Sequence, residues 1–134
     1  MDGFGVMIDR LCGHHKKDAA RLTDAIGKVI QKVWTDDHAL ILEFEDGSGL
    51  GFSDEGQSCC EARYMSTDDD LAYFAGSTLQ GAELREGPDM PGREEHNTQF
   101  LLVATSKGVF TVVNHVEHNG YYGGFAIRVL ERNV

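Results

Sequence analysis

The chain has 134 residues, 41% of them hydrophobic, which suits one compact domain with a core and excludes a disordered tail. Its net charge of -10 is unevenly spread: residues 1–33 carry six Lys/Arg against four Asp/Glu, and the remainder six against eighteen. The acidic remainder repels a long nucleic-acid backbone, and no apolar run approaches the roughly 20 residues that span a bilayer. Neither long nucleic acid nor membrane is expected as a partner.

In chain order, the opening "MDGFGVMIDRLCGHHKKD" has its apolar residues broken by Gly, Asp and Arg, so it lacks a signal-peptide profile. A cytoplasmic protein is expected. Residues 1–17 show no clear periodicity and read as a variable N-terminal extension. Residues 18–134 read as one domain. "DAARLTDAIGKVI" predicts a short helix, with Asp18 as cap and Gly27 as stop. "KVIQKVW" predicts the first strand. "DHALILEFEDGSGLGFSDE" predicts a hairpin, because Leu40, Leu42 and Phe44 alternate with Ile41, Glu43 and Glu45 around an "EDGSG" turn.

The stretch "EGQSCCEARYMSTDDDLAYF" follows. Its aspartates suit the first turn of a helix that Ser66 or Thr67 caps and Gly76 ends. "STLQGAELREG" predicts a strand, and "PDMPGREEHN" an exposed loop. "TQFLLVATSKGVFTVVNHVEHNGYYGGFAIRVLE" predicts strand, turn, strand, turn, strand. The sum is an α+β domain: about six or seven mostly antiparallel strands with one or two short helices.

Three sets of residues carry candidate chemistry. Cys59, Cys60 and Glu61, with six histidines, include metal-ligand types. Structural zinc sites space their cysteines two to four apart, however, and neighbours on a strand point to opposite faces. His115 and His118 are split in the same way. No metal and no cofactor are expected. A cysteine–histidine pair is the second candidate, but nothing in the spacing joins them, and buried cysteine commonly serves as a small hydrophobe. Cys59, Cys60 and Glu61 therefore read as a structural junction bordering a pocket, and no catalytic residue is assigned.

The third is "NHVEHNGYYGGFAIRV". Asn119-Gly120 is a hairpin signal. Tyr121 and Tyr122 followed by two glycines exceed what a turn requires. Tyrosine offers a flat face with a hydroxyl, and glycine lets a backbone approach a ligand. Arg128 shares a strand face with Ala126 and Leu130, opposite Phe125, Ile127 and Val129. It is there either to snorkel or to pair with an anion. Asn119, Tyr121, Tyr122, Arg128 and Arg63 are the ligand-binding candidates, with an aromatic hairpin closing the core as the plainer alternative.

"GQSCCE", "STDDDL", "TSKG" and "HNGYYGGF", in this order, resemble a family of small phage and prophage proteins over about Leu22 to Val129. That group is in turn similar to the first Thoeris anti-defence family. The resemblance implies a sponge that binds a cyclic ADP-ribose-type or cyclic nucleotide signal without cleaving it. It also implies a homo-oligomer, typically a hexamer, in the infected bacterial cell. An enzyme hydrolysing such a signal through a Cys/His or metal centre is the alternative, as is an interaction protein that inhibits a host factor.

Overall fold

The computed structural model describes residues 16–55, 62–86, 96–117 and 125–133. The first element, α1 (Lys16–Ala25), buries Asp18, Leu22 and Ala25, a stripe at helical spacing. It ends where Gly27 takes φ 95°, a left-handed conformation that suits glycine.

Eight strands follow: β1 (Ile30–Thr35), β2 (Ala39–Phe44), β3 (Ser48–Asp54), β4 (Ala62–Ser66), β5 (Leu79–Glu86), β6 (His96–Thr105), β7 (Gly108–Glu117) and β8 (Ile127–Asn133). They form two antiparallel four-stranded sheets, ordered β1-β2-β3-β8 and β4-β7-β6-β5. The α+β class stands, and the count of about six or seven strands is corrected to eight among the described residues. The added strand is β4, whose five residues are too short to show a period-2 pattern beside the cysteines.

Alternation sets the faces as the hairpin pattern requires. Leu40, Leu42 and Phe44 of β2 enter one core cluster with Leu101 and Val103 of β6 and Phe110 and Val112 of β7. Both sheets thus bury their inner faces against each other. At one corner they also join through backbone: Val29 bridges Thr78, Ile30 N–H donates to the Ser77 carbonyl at 2.7 Å, and Gly76 N–H donates to the Ile30 carbonyl at 2.7 Å.

Two capping expectations are corrected. Asp18 lies inside the first turn of α1, and its carboxylate reaches the edge strand β8, where it accepts from Val129 N–H. The aspartate triplet opens no α-helix; a 3₁₀ turn, Leu71–Phe74, follows it, with no side-chain cap from Asp70. Thr67 Oγ1 donates to the Thr111 carbonyl at 2.7 Å, and Asp69 Oδ2 accepts from Thr111 N–H at 2.7 Å. Beyond the end of β4 these two side chains take over the ladder bonds of β7.

Candidate functional site

Strand ends place the chemistry. Asp54 closes β3 opposite Ile127, Ala62 opens β4 opposite Glu117, and His96 opens β6 opposite Glu117 as well. Residues 56–61, 87–95 and 118–124 therefore all connect strand ends at one end of the two sheets. The short turns at 45–47 and 106–107 lie at the other end. Cys59, Cys60, Glu61, Asn119, Tyr121 and Tyr122 fall outside the described residues.

The described residues here are unusually polar for positions that face inward. Arg63 and Asp54 are buried and paired, with Arg63 Nη1 2.8 and 2.9 Å from the two carboxylate oxygens. Asp54 also accepts from Ala126 N–H at 3.0 Å. This pair ties β3 and β8 to β4 across the gap between the sheets. Further in, Asn114 of β7 stands between Val112 and Val116 on the core-facing side, 1% exposed. Neither its Nδ2 nor its Oδ1 has a hydrogen-bond partner, and neither does Oε1 of Gln99, its cross-strand neighbour. A buried amide without partners costs about 1–3 kcal/mol per group relative to a paired one. Such groups are ordinarily met by water, an ion or a ligand.

The outer face of the same sheet carries a second group. Ser66 Oγ lies 2.8 Å from His115 Nε2, and His115 Nδ1 lies 3.0 Å from His96 Nε2. Tyr64 stacks on His115, with ring centroids 4.5 Å apart and planes 8° from parallel. Register brings them together: His115 is opposite Tyr64 on β4 and Thr98 on β6. Burial, with a smaller contribution from His96, holds the His115 imidazole below its ordinary pKa, against the opposing pull of Glu117. His96 is buried, and its Nδ1 has no partner.

Arg128 does face an anion, and that anion belongs to the chain. Its Nε is 2.7 Å and its Nη2 3.1 Å from the carboxylate oxygens of the fully buried Asp18. The guanidinium thus makes a forked contact to Asp18, which is the anion that the apolar strand face signalled. Among the described residues, no three His, Cys, Asp or Glu side chains are grouped as a metal site. A cavity of about 20 Å³ beside Arg63 and Tyr64 has room for a water, not a nucleotide. A wider cleft of about 300 Å³ lies at the opposite end, rimmed by Arg21, Lys28 and Arg132 but also by Asp24 and Glu131. Its Lys28 is held by Ser48 at 2.9 Å and Asp46 at 3.1 Å.

Asn114 had a readable signal, an amide at a core-facing position of an otherwise apolar alternation. Gln99 and Tyr64 had none. His96 sits in a charged stretch that reads as loop, so its pairing with His115 is visible only once β6 and β7 are in register.

The class so defined is a small two-sheet α+β domain with a buried polar cluster at one end. The chain belongs to a family described as a domain of unknown function, DUF7448, whose model matches residues 23–127. No curated protein and no solved structure matches it. The matched span takes in both His96 and Asn114 but omits Asp18, Arg21 and Arg128.

Proposed function

We propose that the chain is a binding protein that takes up a small cyclic nucleotide signal, of the cyclic ADP-ribose type, and holds it uncleaved. On this reading it is a phage anti-defence sponge, a homo-oligomer of the hexameric kind, acting in the cytoplasm of the infected bacterial cell. One observation carries the proposal. The strand ends that flank "GQSCCE" and "HNGYYGGF" in the sequence lie at the same end as the unpartnered amide of Asn114, the unpartnered Oε1 of Gln99 and the Arg63–Asp54 pair. Amides that offer a donor and acceptors side by side suit the edge of a nucleobase. The 20 Å³ cavity beside Arg63 is too small for a whole ligand, so this reading requires further groups at the same end, which assembly of several copies would supply.

The test is depletion. Full-length protein is mixed with cyclic ADP-ribose isomers and cyclic oligonucleotides, and free ligand is followed by chromatography. The expected result is stoichiometric loss of one ligand, returned intact by heating. A new product peak would replace the sponge with a hydrolase. Undiminished ligand at micromolar protein, with a host protein captured instead, would replace it with an interaction protein.

A further inference from the structure

The chain Ser66–His115–His96 is not used by the binding proposal. It lies on the outer face of β4, β7 and β6, whereas Asn114 and Gln99 face between the sheets. It has the parts of an activated nucleophile: a hydroxyl, a base in hydrogen-bond reach, and a third group that orients the base. We propose that Ser66 is a nucleophilic serine that accepts an acyl group from a small, uncharged ester, with His115 as its base and His96 as the residue that positions His115.

Four observations support it. The two hydrogen-bond distances, 2.8 and 3.0 Å, are those of an assembled relay, and His115 uses both ring nitrogens in it. Ser66 is exposed, so an ester can reach its Oγ, while His96 is buried and fixed. Tyr64 lies flat on the His115 ring and holds its plane. Burial and His96 keep His115 neutral near pH 7, the state a base requires, and Glu117 is the carboxylate that opposes them.

Protons along the relay have two placements. In one, His96 Nε2–H donates to His115 Nδ1, and His115 Nε2–H donates to Ser66. In the other, Ser66 O–H donates to His115 Nε2, His115 Nδ1–H donates to His96 Nε2, and the remaining proton sits on His96 Nδ1. The second is the reactive one. From it, Ser66 Oγ forms a bond to the ester carbonyl carbon, and its proton passes to His115 Nε2. The bond from carbonyl carbon to the leaving oxygen then breaks, and that oxygen takes the proton from His115. Water later releases the acyl group as a carboxylic acid through the same base, with Ser66 regenerated. Asp68, Asp69 and Asp70 are exposed just beyond Ser66 and disfavour anionic acyl donors, which is why the substrate class is a neutral ester.

The experiment is acylation of the full chain with p-nitrophenyl acetate and, separately, with a fluorophosphonate probe, read by intact mass and peptide mapping. One adduct per chain, on Ser66, is expected. Ser66→Ala should abolish it, and His115→Ala should slow it by at least about a hundredfold, the usual contribution of a general base. His96→Ala removes one of the influences that hold the His115 pKa down, so the pH midpoint of labelling should move upward as well as the rate falling. Circular dichroism and melting curves separate these effects from misfolding, and Ser66→Ala, at an exposed strand end, is not expected to change either. Absence of an adduct on wild-type Ser66 would overturn the proposal. So would labelling that proceeds equally fast in folded His115→Ala.

Discussion

A single imidazole illustrates what the fold does to a residue. His115 is half-buried under Tyr64 and beside His96, so the folded state binds its proton less readily than the unfolded chain does. Above its ordinary value of 6.5 both states hold it neutral and it adds no pH dependence. As pH falls below 6.5, the unfolded chain takes up a proton first, and stability is lost until the folded pKa is passed. Melting temperature should therefore fall as the solution is taken from pH 7 toward pH 5.5, and His115→Gln should flatten that slope. An equal slope in the variant would mean that other groups set the acid limb. At the same scale, Gly49 accommodates a close approach: a Cβ there would come within 2.9 Å of the Arg132 carbonyl across the β3–β8 pair. The Cβ would be fixed to one strand of a paired ladder and the carbonyl belongs to the backbone of the other, so neither side yields easily. Gly49→Ala should cost about 1–3 kcal/mol in a denaturant titration; an unchanged midpoint would show that β8 slides aside.

Elements show where sequence is legible and where it is not. Leu40, Leu42 and Phe44 announce β2 by period, and "EDGSG" announces its turn, because both signals are local. The reason β8 is a safe edge is not local at all. Val129 N–H, on the outer edge of β8, donates to Asp18 at 2.9 Å, and the Val129 carbonyl accepts from Arg21 at 3.2 Å. α1 thus covers an edge that would otherwise offer its amides to another strand. The carboxylate that does this sits 110 residues from Arg128, which neutralises it, and no spacing rule connects them. For the same reason Arg128 read as a ligand residue, since an arginine on an apolar face signals an anion without saying which. Asp18→Ala removes the carboxylate that holds Arg128 and accepts from Val129 N–H, and should cost about 1–3 kcal/mol. Arg128→Ala leaves a buried carboxylate with its other donors and should also lower the melting temperature. Melting curves check both. If Arg128→Ala melts like wild type while losing ligand affinity, the clamp is not what Arg128 is for.

The whole molecule brings its candidate chemistry to one end by topology. Asp54, Arg63, His96, Asn114 and Ala126 all stand at or near strand ends there, so residues far apart in sequence meet without any motif recording it. The sequence showed the segments at 56–61 and 118–124 as unusual; it did not show that the strands flanking them end beside Asn114, Gln99 and Arg63. On the binding reading, the unpartnered amide of Asn114 is kept for a ligand at the expense of stability. Asn114→Leu tests it most directly, because it replaces two unsatisfied buried groups with an apolar side chain of similar volume. Melting and calorimetric titration with the nucleotide that wild type depletes are measured on the same preparations. The expected result is a melting temperature equal to or above wild type, together with a loss of at least about tenfold in affinity, the equivalent of one hydrogen-bonded contact. A stabilised Asn114→Leu that binds the nucleotide as tightly as wild type would contradict it.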